Sequence, residues 1–105
     1  MSNFVIAYIV FANKDEATHI AKAIVEEKLA ACANILPAVE SFYMWQGKVQ
    51  NCNEVVLVAK TEKTKFELLQ KKVTALHSYE LPCIVALPIE MGEAKYLQWI
   101  SNELK

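Results

Sequence analysis

The stretch from Ala31 to Lys60 limits the fold of this chain more than any other feature: two extended runs joined by Gln46-Gly47-Lys48. The first run, Ala31 to Trp45, keeps an extended pattern throughout. The second, Glu54 to Thr61, is centred on Val55-Val56-Leu57-Val58. A strand as long as the first run reaches roughly 50 Å at ~3.3 Å per residue, whereas a 100-residue domain has a radius of gyration of about 13 Å. The hairpin must therefore bend sharply or project beyond its own core. Pro37 lies inside the first run and cannot donate a ladder hydrogen bond, which places it at an edge or a bulge. The far end carries Phe42-Tyr43-Met44-Trp45 in succession. Side chains alternate across a ribbon, so on a lone projecting arm these groups would face water on both surfaces. An apolar patch of that kind marks an interface.

Composition points the same way. Of the 105 residues, 54% are hydrophobic with tyrosine included, against about 45–50% in average soluble proteins by a similar count. A domain this small buries only about 65% of its unfolded surface, so the apolar surplus is expected against partner chains. The net charge is −1 and the charges are mixed, leaving no basic stripe for nucleic acid. The apolar run Phe4 to Ala12 has no preceding Lys or Arg and no small-residue cleavage site after it, and is too short to span a bilayer. Cys32, Cys52 and Cys83 are odd in number and scattered, with no C-x-x-C. They read as free thiols or small buried hydrophobes in a cytoplasmic protein.

Around the hairpin, Phe4 to Phe11 has the continuous apolar character of a strand buried on both faces. Asn13 and Glu16 form a capping-box pair for a helix over 14–28, with Ala17, Ile20, Ala21, Ile24 and Val25 on one side. Thr64 and Glu67 repeat the pair for a second helix ending near Leu76. Pro82 makes 77–82 a loop, 83–88 a short strand follows, and 93–104 forms a last helix carrying Leu97, Ile100 and Leu104. The order β-α-β-β-α-β-α over one domain, 1–105, is α+β and matches a ferredoxin-like split β-α-β fold, both crossover helices on one face of a four-stranded sheet.

From side-chain chemistry, Cys32 and His77 are the best metal candidates, because thiolate and imidazole suit copper or zinc. Each also has a structural role open to it: Cys32 between two alanines can pack in a core, and His77 at a helix end can complement the helix dipole.

Several spaced segments resemble a known family. Ala30-Ala31-Cys32-Ala33-Asn34-Ile35-Leu36-Pro37, Trp45-Gln46-Gly47-Lys48, Val58-Ala59-Lys60-Thr61, Leu76-His77-Ser78-Tyr79-Glu80-Leu81-Pro82 and Ala86-Leu87-Pro88-Ile89-Glu90 resemble, in order, signatures of the CutA divalent-cation-tolerance proteins. Tyr96-Leu97-Gln98-Trp99-Ile100 is similar to that family's closing helix. The resemblance covers essentially the whole chain. It implies a ferredoxin-like fold, a homotrimer built through the long hairpins, and weak divalent-metal binding, with copper first, as the cofactor relation. Ser78 stands where the family usually has proline. Leu76 stands where some relatives have a second histidine, and Val10-Phe11 where some carry a cysteine, leaving fewer soft ligands.

The resemblance also gathers Trp45, Lys60, His77, Tyr79, Glu80 and Glu90 around a cleft between subunits. Such a group could bind a small anion, place a general acid and base, or lock an interface by hydrogen bonds. The interface reading implies a protein that is not an enzyme. The alternative is a module like the trimeric PII-type regulators, binding a small ligand between subunits. The two glycines, Gly47 and Gly92, provide no phosphate cradle for it. The chain has no arginine to serve an acylphosphatase-type site, and RNA binding lacks a basic surface.

Overall fold

The computed structural model describes residues 3–105. The elements are β1 (Phe4–Phe11), α1 (Lys14–Glu26), β2 (Cys32–Trp45), β3 (Lys48–Glu62), α2 (Phe66–Leu76), β4 (Ile84–Pro88) and α3 (Ala94–Glu103), with one 3₁₀ turn, Lys63–Lys65, before α2. The four strands form one antiparallel sheet in the order β2-β3-β1-β4. This is the expected ferredoxin-like arrangement.

Alternation assigns the two faces. Val5, Ala7, Ile9 and Phe11 of β1, with Val55, Leu57 and Ala59 of β3, turn toward α1 and α2, and there they are buried. Ala17, Ile20, Ala21 and Ile24 of α1 and Leu69 and Val73 of α2 complete that core. The other face of β1 is only part-covered, with Tyr8 exposed, so the strand is not buried on both faces as its sequence suggests. Part of the cover comes from α3, where Ser101 Oγ donates to Glu62 Oε2 at 2.8 Å and Ile100 is fully buried. In the single chain Val85, Leu87 and Trp99 stay exposed.

The helix ends test the capping reading. Asn13 Oδ1 accepts from the Glu16 N–H at 2.8 Å, as the capping box requires, but the Glu16 carboxylate turns away to Ser78 and completes no box. Helix α1 stops at Glu26, short of Lys28, because Lys28 takes a left-handed φ of 59°. The Leu29 N–H bonds to the Ile24 carbonyl and the Lys28 N–H to that of Val25, the pattern of a Schellman ending. The second expected box is absent: the chain passes through the 3₁₀ turn and α2 begins at Phe66 with no side-chain cap.

The hairpin both bends and projects. Trp45 pairs with Lys48, so the loop is Gln46-Gly47 alone. Its φ values of 50° and 80° are those of a type I′ turn, which follows the strand twist. The ladder slips between Leu36 and Val39, where Pro37 and Ala38 together face Val55. That is a bulge on an edge strand, where a residue lacking an N–H is tolerated. Beyond it β3 runs unbroken from Lys48, longer than the apolar pattern alone indicates, because Gln50, Asn51 and Asn53 pair against the aromatic arm. The protomer measures 44 × 25 × 22 Å. Phe42, Met44 and Val49 on the projecting end are 67%, 65% and 68% exposed.

Replacing Asn13 by Ala should lower stability by about 1 kcal/mol, the usual value of an N-cap. Thr64→Ala should stay within about 0.5 kcal/mol of wild type, as an exposed position without a special contact does. Urea unfolding of both variants checks the contrast.

Candidate functional site

The bulge at Pro37 decides which side chains meet on the helix-free side of the hairpin. Before it, Cys32, Asn34 and Leu36 share a face with Lys60, Val58 and Val56. After it, the face passes to Val39, Ser41 and Tyr43, opposite Glu54, Cys52 and Gln50. The slip brings the odd-numbered residues of the outer arm to the same side as Glu54. They bound one wall of a cavity of about 550 Å³, whose lining includes Tyr43, Trp45, Glu54, Tyr79, Glu80 and Cys83.

The opposite wall is held by His77. Its side chain is fully buried and stacks on Phe11 with ring centroids 4.6 Å apart. Nε2 lies 2.7 Å from the Val10 carbonyl oxygen, and Nδ1 lies 3.0 Å from the Tyr79 backbone nitrogen. A carbonyl can only accept and an amide N–H can only donate, so Nε2 carries the proton and the Nδ1 lone pair is taken. One residue on, the Ser78 N–H and Oγ–H both donate to the Glu16 carboxylate, at 2.6 and 2.8 Å. The loop after α2 is thus fixed to β1 and to α1.

This anchoring delivers the Tyr79 hydroxyl to Glu54, donating to Oε2 at 2.6 Å. Glu54 is only 7% exposed. Burial, reinforced by the Glu54 carboxylate, holds the Tyr79 phenol well above the ordinary tyrosine range. Burial and the same carboxylate push the Cys83 thiol up. Cys52 Sγ lies 3.8 Å from the Tyr43 hydroxyl, and that contact raises the Tyr43 phenol.

Of the residues singled out from the sequence, Trp45, Tyr79 and Glu80 meet at this cavity. Lys60 and Glu90 do not. Lys60 stands across from Ile6 and Cys32, six residues along β3 from Glu54, or about 20 Å at strand rise. There its Nζ donates to Asn34 Oδ1 at 3.1 Å and lies 5.7 Å from the centre of the Tyr96 ring. Glu90 follows Ile89, whose N–H binds the Phe4 carbonyl at that same end. Within one chain, the expected cluster is divided between opposite ends of the sheet.

The proposed metal pair is divided too. Cys32 Sγ contacts Asn34 Oδ1 at 3.7 Å in the Lys60 row, while His77 sits at the Val10 end with both ring nitrogens engaged. Among the described residues no group of three or more His, Cys, Asp or Glu side chains is gathered as a metal site. The donor set of one protomer therefore does not fit a chelated metal ion. Sequence reasoning gave Glu54, Cys52 and Cys83 no place at the site. Glu54 opens the second extended run, next to the polar Asn51-Cys52-Asn53, and only the strand register shows that it points inward.

Comparison with known proteins decides the family. A family model described as CutA1 divalent ion tolerance protein matches residues 5–103. The chain belongs to this family. It is 43% identical over 105 residues to the divalent-cation tolerance protein CutA of Archaeoglobus fulgidus, with both chains covered completely. It is 43% identical over 101 residues to a chloroplastic CutA of Arabidopsis thaliana, covering 96% of this chain but 56% of that protein. The chain thus spans little more than half the length of that plant relative. Among solved structures, a CutA from Xylella fastidiosa superposes with a TM-score of 0.95 at 33% identity, covering 99% of this chain and all of that one. The A. fulgidus structure, described as a periplasmic divalent cation tolerance protein, gives 0.94 at 40% identity, covering 97% and 99%. No helix among the described residues is long and apolar enough to cross a membrane.

The raised Tyr79 phenol sets a pH dependence. In the unfolded chain it ionises near about 10, whereas the folded state keeps its proton to higher pH. The folded state then binds the proton more tightly, and stability falls as pH rises above about 10. Tyr79→Phe should remove part of that alkaline loss, measured as unfolding midpoints across the range. Identical alkaline slopes for variant and wild type would contradict the assignment.

Proposed function

We propose that this chain is the subunit of a CutA-type homotrimer that serves divalent-cation tolerance by binding rather than by catalysis. The observation that carries the reading is the projecting hairpin. Its exposed Phe42, Met44 and Val49, together with Tyr43 and Trp45, form an apolar ribbon that a chain of this size does not cover by itself. Three hairpins packed around one axis would hide it, and would place the Lys60 and Glu90 end of one protomer near the cavity of another.

Copper is the first metal of this reading, and the contact is weak. Cys32 is a half-buried free thiol and the soft donor of this reading, while His77 is committed to the backbone. A single thiolate from each chain makes a low-affinity site rather than a chelate. The three free cysteines suit a cytoplasmic setting. A small-ligand role of the PII kind has one observation in its favour, the cavity bounded by the hairpin and the 77–83 loop.

Light scattering should give three times the 11.9 kDa chain mass. Copper(II) calorimetry should show weak saturable binding that Cys32→Ala removes and His77→Ala leaves in place wherever that variant still folds. A chain-mass monomer would refute the assembly, and absence of saturable heat at micromolar copper would refute the metal contact.

A further inference from the structure

The contacts that hold the 77–79 segment fit only one protonation state of its histidine. The His77 side chain is closed off from water. Its Nε2–H donates to the Val10 carbonyl at 2.7 Å, and Nδ1 accepts from the Tyr79 N–H at 3.0 Å. An imidazolium has a donor at each nitrogen and no acceptor. A second ring proton would therefore stand on Nδ1, facing the Tyr79 N–H. Two opposed donors lose their hydrogen bond, and a buried donor without a partner is costly. Turning the ring gives no relief, because it is stacked on Phe11 and the Tyr79 ring lies 5.0 Å away.

Few charged or titratable groups surround the ring. From α1, Glu16 Oε2 lies 3.9 Å from Nδ1, but that carboxylate already accepts both Ser78 donors, at 2.6 and 2.8 Å. The loop itself brings the Tyr79 phenol, which is hydrogen-bonded to Glu54 of β3. From β1 come Val10 and Phe11, which carry no charge, and the last turn of α2 has no basic residue. The anion placed to receive an Nδ1–H is thus Glu16, and it does so only by letting go of Ser78. Cys32, the thiol of the copper reading, sits in the Lys60 row at the opposite end of the sheet.

We propose that His77 is an acid-sensitive latch: protonation of Nδ1 displaces the Tyr79 N–H, draws Glu16 from Ser78, and so frees the 77–82 loop and withdraws the Tyr79 hydroxyl from Glu54. The closed loop uses the neutral ring at both nitrogens, whereas the released loop leaves Nδ1 free to take a proton. Release is therefore coupled to uptake of one proton. The latch holds at high pH and is lost as pH falls, the open population rising at most about tenfold per pH unit. It needs neither metal nor ligand and lies outside the cation-tolerance reading.

Amide hydrogen exchange of the assembled protein, read as protection factors from about pH 8 to about pH 5, tests the latch. In that range imidazole is the ordinary side chain that changes charge. Protection of the Ser78 and Tyr79 amides should fall about tenfold or more across it, while Ala7 and Ile9 in β1 stay unchanged. His77→Gln keeps an N–H donor for the Val10 carbonyl and does not titrate, so its Ser78 and Tyr79 protection should be flat with pH. If that variant does not fold, the imidazole resonances of the unaltered protein serve instead. The His77 ring should charge in step with the loss of Ser78 and Tyr79 protection, with the exposed His19 ring as reference. Three results would each overturn the proposal: unchanged protection across the range, a charged His77 ring with both amides still protected, or an acid loss retained in folded His77→Gln. The last would assign the response to Glu16 or Glu54.

Discussion

The β2–β3 ladder is the interaction on which the other parts of this structure depend. Its inner half, from Cys32↔Lys60 to Leu36↔Val56, belongs to the sheet that α1 and α2 cover. Its outer half, from Val39↔Glu54 to Trp45↔Lys48, extends past that core. The bulge at Pro37 joins the halves with a one-residue slip. That slip gives Ser41, Tyr43 and Trp45 the face shared with Glu54, and leaves Phe42 and Met44 on the opposite side. An isolated two-stranded ribbon is marginally stable in water, so the outer half calls for cover on both surfaces.

A second set of contacts ties the site to the core. His77 spends no nitrogen on solvent: one end holds the Val10 carbonyl and the other receives the Tyr79 N–H. Glu16, drawn from its capping role, secures Ser78. The short segment between α2 and β4 is thereby fixed against β1, and the Tyr79 hydroxyl reaches Glu54 from it. The histidine that most resembled a metal ligand in the sequence is better understood as a positioning residue for Tyr79.

Much of the fold was legible from the chain. The β1 strand itself, helical spacing in α1 and α2, the Asn13 cap and the Gln46-Gly47 turn follow from local rules, and the structure bears them out, although β1 is buried on one face and not on both. What failed depended on register or on competition. Thr64 and Glu67 have the spacing of a box, yet a 3₁₀ turn carries the chain past it. Glu16 had two possible partners, and Ser78, far away in sequence, won it. Glu54 was hidden because a carboxylate beside asparagines reads as solvated until the pairing register is known. Lys60 and Glu90 were grouped with Tyr79 by resemblance, around a cleft between subunits, and a single chain holds them at the other end of the sheet without testing that grouping.

The exposed outer ribbon, the cavity beside it and the divided polar groups make sense together if neighbouring chains cover the hairpin. Amide hydrogen exchange along Phe42 to Cys52 in the native protein tests that most directly. In a lone protomer the backbone pairs of the ribbon would open locally and exchange far faster than β1. The account predicts protection there approaching that of the Ala7 to Ile9 core amides, lost together with the assembly on dilution. Rapid exchange of the ribbon in the assembled protein, with β1 fully protected, would contradict it.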